Sequence, residues 1–118
     1  MRNYLFILNE APYGNERTYN GLRLAGALAK REGENQVRVF LMGDAVLAAH
    51  QHQKVPQVFY NVEVMLGAVV RHGGEVGVCG TCMDARGIDA AELSPNAHRG
   101  TLDELADWTG RAEQVLVF

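Results

Sequence analysis

Short apolar runs alternate along this chain with longer segments in which apolar positions recur every three or four residues. Tyr4-Leu5-Phe6-Ile7-Leu8 is a continuous apolar run, the pattern of a strand buried on both faces, and Asn9 to Gly14 reads as the loop that leaves it. Asn15 is placed to cap a helix in which Tyr19, Leu22, Gly26 and Ala29 share one face. Its small residues Ala25, Gly26, Ala27 and Ala29 allow close packing on a sheet, and Gly33 stops it. Val37 to Met42 is a second strand, followed by Gly43-Asp44, with Asp44 as candidate N-cap of a short helix through Ala49. His50 to Lys54 reads as a polar loop. The pattern from Pro56 to His72 is helical, with Phe59, Val62, Leu66 and Val69 on one stripe, and Gly73-Gly74 ends it.

Glu75 to Cys79 is a third strand, followed by a turn or helix from Gly80 to Arg86 and an irregular stretch to Gly100. Thr101-Leu102-Asp103-Glu104 fits a capping box, Leu105 and Trp108 supply the apolar face of the helix it starts, and Gln114 to Phe118 is a final strand. Strands separated by helices imply parallel pairing through right-handed crossovers. The expectation is one three-layer α/β domain over residues 1–118, with a four- to five-stranded, mainly parallel sheet of flavodoxin- or Rossmann-like topology. Such a sheet leaves two edges, and edges of this kind call for cover in an oligomer.

Composition narrows the function classes. The 118 residues suit one domain, and 47% apolar with 21% charged residues is ordinary for a globular chain. The net charge of −3, without a basic block, argues against nucleic acid or an anionic membrane as partner. The longest stretch free of Asp, Glu, Lys and Arg, between Asp44 and Lys54, is nine residues, far short of the ~20 needed to span a bilayer. Asn9 and Glu10 interrupt the first apolar run, so no signal peptide is read there. Two cysteines do not make a disulfide scaffold. The spacing Cys79-x-x-Cys82 points to redox, sulfur or metal chemistry in a reducing compartment, with the cytoplasm as default.

The chemistry of an open α/β sheet sits beyond the carboxyl ends of its strands. Three predicted loops meet there: Asn9 to Gly14, Gly43-Asp44, and Cys79 to Asp84. A sulfur on Cys79 at a helix start would face unpaired amides and the positive dipole end, which favour thiolate and lower the cysteine pKa below ~8.5. Read plainly, Cys79 is a small apolar filler at a strand end. Cys82, one turn on, is placed to cross-link to Cys79, share a metal, or pack in the turn. The candidate pocket comprises Asn9, Glu10, Tyr13, Asp44, Gly80, Thr81, Asp84 and Arg86 beside the two cysteines. Glu10 beside a thiolate would raise its pKa, so its expected role is proton handling or pairing with a helix. Asp84 and Arg86 either orient the turn or form a surface ion pair. His50, His52, His72 and His98 lack zinc-finger or ribbon spacing, so no metal site is expected. The chain contains neither G-x-G-x-x-G nor G-x-x-x-x-G-K-[ST].

The segment Val78-Cys79-Gly80-Thr81-Cys82-Met83-Asp84-Ala85-Arg86-Gly87-Ile88 resembles the cysteine segment of DsrE/DsrF-like proteins, in their YchN-type branch. So do Asn9 to Gly14, Phe40 to Val46, Leu105 to Thr109 and the final Val115 to Phe118, so the likeness runs from end to end. The resemblance implies a homo-oligomer, a trimer or a hexamer of stacked trimers. It also implies a cysteine that carries a transient persulfide between donor and acceptor proteins, with no other cofactor. The register of sulfur-relay members, a cysteine with glycine eight residues on, selects Cys79 and Gly87. Cys82 departs from those members and suits the YchN-type branch. The expected function is intracellular sulfur transfer, with Cys79 as a sulfurtransferase-type nucleophile. The alternatives are a CxxC dithiol–disulfide oxidoreductase and a non-catalytic, ligand-binding oligomer.

Overall fold

A computed structural model of the chain describes residues 1–56 and 60–118. Five parallel strands form one sheet: β1 (Arg2–Leu8), β2 (Asn35–Leu41), β3 (Glu75–Cys79), β4 (Ala97–Gly100) and β5 (Gln114–Val117), in the spatial order β4-β3-β2-β1-β5. The helices are α1 (Arg17–Ala29), α2 (Val62–Arg71), α3 (Gly80–Ala85) and α4 (Leu102–Arg111), and Gly43–Ala49 is a 3-10 segment. The expected α/β domain is present, and its sheet is parallel throughout.

Alternation along the strands sends successive side chains to opposite faces. Phe6, Leu8, Val37, Val39, Leu41, Val76 and Val78 join Leu22 and Ala25 of α1, Leu66 and Val69 of α2, and Met83 of α3 in the main core. The opposite face is thin. Among the described residues, its buried cluster is Leu5, Phe40, Leu105 and Trp108, under α4, with Phe40 and Trp108 meeting edge to face at 5.9 Å. The two outer layers are therefore unequal. Gly77 and Gly100 let Phe40 and Glu104 lie flat on the thin side: a Cβ at Gly77 would meet the Phe40 ring at 2.9 Å.

Several local expectations need correction. The stretch read as irregular before Gly100 contains β4, whose Ala-His-Arg-Gly sequence carries no apolar pattern because it is a short edge strand with His98 and Arg99 exposed. Helix α2 starts at Val62 rather than Pro56. Asn61 has extended backbone and its side chain accepts from the Val64 amide at 3.2 Å, so it caps the helix instead of continuing it. Phe59 of the predicted stripe lies outside the described residues, while Val62, Leu66 and Val69 are buried as expected. Helix α1 begins after Glu16, and the Asn15 carboxamide oxygen accepts from the Arg17 amide at 3.0 Å. Asp44 is inside the first 3-10 turn, with Met42 at the cap position. Thr101 does cap α4, its hydroxyl accepting from the Glu104 amide at 3.1 Å. The Glu104 carboxylate, however, accepts from His98 Nε2 at 2.8 and 2.9 Å, because β4 brings that imidazole alongside.

Candidate functional site

Strand β3 ends at Cys79, which is half-buried between the two cores and caps α3. The Cys82 amide donates to Cys79 Sγ at 3.3 Å, and Thr81 Oγ1 lies 3.4 Å from the same sulfur. Cys79 and Cys82 are joined as a disulfide, with Cα atoms 5.2 Å apart. The Gly43 amide, from the loop after β2, donates to Cys82 Sγ at 3.3 Å. Both sulfurs thus receive a backbone N–H, one from α3 and one from the neighbouring strand's loop. Gly43 makes this approach with φ of +55°, a region that glycine occupies without the usual Cβ penalty.

Two ion pairs anchor the short α3. Arg86 donates to Asp44 Oδ1 at 2.8 and 3.0 Å and to the Cys82 carbonyl at 3.0 Å, tying α3 to the loop after β2. Asp84 accepts from Arg99 through both carboxylate oxygens at 2.9 Å, tying α3 to β4. That bidentate guanidinium holds the Asp84 carboxyl below its ordinary value. The Arg99 guanidinium also lies directly over Gly80, where a Cβ would meet it at 2.9 Å. Asp84 and Arg86 are therefore not paired with each other. Each has a partner in a different element.

Cys79 opens into a cavity of about 330 Å³. Cys79, Gly80 and Thr81 border it from the end of β3, and Arg99, Gly100, Thr101 and Leu102 from the end of β4. Phe40, Met42 and Leu105 complete its wall. The register sets Cys79 directly beside Gly100. Strand β3 leads into α3, which packs on the main core, whereas β4 leads into α4 on the opposite face. The cavity thus lies where adjacent strands depart to opposite sides, the usual crevice of a doubly wound sheet. The sequence pattern puts the crevice beyond β1, β2 and β3, and the structure adds five contributors from β4 and α4. The exposed polar residues of β4 hide this strand from the apolar pattern.

The structure groups Asp44, Gly80, Thr81, Asp84 and Arg86 around the cysteines. Asn9, Glu10 and Tyr13 are elsewhere. Asn9 and Glu10 line a separate hollow with Arg17, Val117 and Phe118, and Glu10 pairs with Arg17 at 3.6 Å. The Tyr13 hydroxyl donates to Gln53 at 2.6 Å and accepts from the Val62 amide at 3.2 Å, bracing the start of α2. The cause is sheet order: β2 stands between β1 and β3, which separates their ends by roughly 10 Å. Among the described residues, no group of three or more His, Cys, Asp or Glu could hold a metal ion, and no helix is long and apolar enough to cross a membrane.

A parallel sheet with a strand-end CxxC at its switch point defines a class of small α/β cysteine proteins. The sequence profile of the DsrE/DsrF-like family matches residues 2–118, and the chain belongs to that family. It is 43% identical to protein YchN of Escherichia coli (strain K12) over the full length of both chains. An uncharacterized protein of Methanopyrus kandleri is 34% identical over 112 residues, covering 95% of this chain and 90% of that one. The crystal structure of the ychN protein from E. coli superposes with a TM-score of 0.92, 43% identity and complete coverage of both chains. A protein of unknown function from Methanobacterium thermoautotrophicum shares the fold, with a TM-score of 0.73 at 12% identity and full coverage of both chains.

Proposed function

We propose that the protein carries sulfane sulfur on Cys79 within the cytoplasm. The observation that carries this reading is the placement of Cys79 Sγ: at a strand end, 3.3 Å from a donating amide, and open to a cavity. Family membership supports a sulfur-relay role. A thiol first opens the Cys79–Cys82 disulfide by exchange. The Cys79 thiolate then attacks the outer sulfur of a donor persulfide, gaining Cys79–S–SH and releasing the donor thiolate. An acceptor thiolate takes that sulfur, or Cys82 attacks Cys79, restoring the disulfide and releasing sulfide. Repeated transfer between donor and acceptor would make the protein a sulfurtransferase.

The test is intact-mass analysis of the reduced chain after incubation with a persulfide donor. One added sulfur on the wild type and none on Cys79→Ser is the expected result. An unmodified wild type, or an undiminished adduct on Cys79→Ser, removes the proposal.

The disulfide itself favours a second reading, dithiol–disulfide exchange on protein substrates. Absence of turnover in an insulin-reduction assay would discard it. The carrier is also proposed to act as a homo-oligomer, a trimer or hexamer. Edge strand β5 exposes Val117 at 64%, which supports cover by further copies. Light scattering on a sizing column would read the mass, and a monomer at micromolar concentration would reject this part.

A further inference from the structure

The cavity beside Cys79 has a definite chemical character. Its volume of about 330 Å³ suits a small ligand rather than a protein segment. Phe40, Met42, Leu102 and Leu105 give it hydrocarbon walls, and Gly80 and Gly100 border it with backbone. Among the described residues lining it, Arg99 alone is charged, and both oxygens of Asp84 already engage that guanidinium at 2.9 Å. A carboxylate entering the cavity would have to share that guanidinium with Asp84, and an ammonium would face its like charge, so either leaves water at a cost. A hydrocarbon arm would leave water favourably.

We propose that this cavity binds the apolar arm of a small persulfide, R–S–SH with R an uncharged alkyl or aryl group, and presents its outer sulfur to Cys79. The proposal rests on the persulfide reading above and adds the class of donor. In the transfer, the Cys79 thiolate forms a bond to the outer sulfur and the bond between the donor's two sulfurs breaks. Its electron pair leaves on R–S⁻, which takes a proton from water, and the outer sulfur keeps its own proton. No oxidant is consumed. A dithiol reductant opens the Cys79–Cys82 bond beforehand.

The experiment compares ethyl, butyl and hexyl persulfide with cysteine persulfide on the reduced, desalted full chain. The rate of sulfur gain on Cys79 is followed by intact mass at sub-saturating donor. The expected rate rises by about fourfold per methylene that the cavity covers, with cysteine persulfide at or below the ethyl donor. Leu102→Trp, at an exposed position on the cavity rim, is expected to flatten the series. Val64→Trp, on the exposed face of α2, leaves it unchanged. Hexyl methyl sulfide, an unreactive mimic, is expected to shift the backbone resonances of Thr81, Leu102 and Leu105 in Cys79→Ser. Equal rates across the alkyl series, a faster cysteine persulfide, or a silent mimic each overturn the cavity assignment. Equal rates leave the persulfide reading standing. Absence of an adduct from every donor removes both.

Discussion

Trp108→Ala tests whether the thin face of the sheet depends on one side chain. Trp108 is 4% exposed and, among the described residues, shares its buried cluster with Leu5, Phe40 and Leu105. Its ring meets Phe40 edge to face, and Arg38 lies 5.8 Å from its centroid. Truncating a buried Trp to Ala costs about 3–5 kcal/mol, combining lost transfer energy with the void left behind. Neighbours cannot refill this void easily. Leu105 lies on the same helix, and Phe40 is held flat over Gly77 and Gly100. Set against a total stability of roughly 5–15 kcal/mol, that loss is large. For a chain of this length it corresponds to a fall in Tm of about 12–20 °C. Urea unfolding followed by far-ultraviolet circular dichroism is the assay, since the chain has one tryptophan and the variant none. A functional readout accompanies it. Leu102 and Leu105 of α4 wall the cavity, whereas Cys79 is held by β3 and α3. The variant should therefore lose chain-length preference among alkyl persulfides and keep Cys79 reactive toward a hydrophilic thiol reagent. A stability loss below ~1 kcal/mol, or an intact chain-length preference, would refute the view that α4 is anchored by this ring.

Three further outcomes are expected. Cys82→Ser should accumulate Cys79–S–SH and release less sulfide than the wild type, since no resolving sulfur is present; equal sulfide release would assign that step elsewhere. Gly21→Ala should destabilise by about 1–3 kcal/mol, because its Cβ would meet Leu8 Cδ2 at 2.7 Å and the Phe118 ring at 3.1 Å; unchanged urea midpoints would contradict this packing. Asp84 should titrate below the ordinary aspartate value of ~3.9, since Arg99 hydrogen-bonds its carboxylate. A carboxyl depressed in the folded state stabilises above its unfolded value, and that contribution fades as pH falls through the lower folded value. Carboxyl resonances during an acid titration would read it. Arg99→Met should return Asp84 toward the ordinary range, and an unmoved midpoint would show that another group depresses it.

Local pattern was sufficient wherever burial was symmetric or periodic. Strands β1, β2 and β3 are largely surrounded by core, so their apolar runs declare them, and the 3.6-residue stripe of Val62, Leu66 and Val69 declares α2. The alternation of these elements implied a parallel α/β sheet, and a cysteine closing β3 marked the end of the sheet where chemistry collects. Strand order is a different kind of information. It depends on pairing between residues distant in sequence, and it decided that β4 lies beside β3 and that β1 lies two strands away. From that order follow the cavity shared by Cys79 and Gly100, the pairing of Asp84 with Arg99 and of Arg86 with Asp44, and the removal of Glu10 and Tyr13 from the cysteine site. Edge strand β4 escaped the pattern because half its residues face solvent and carry polar groups, so only its hydrogen bonds to β3 identify it as a strand.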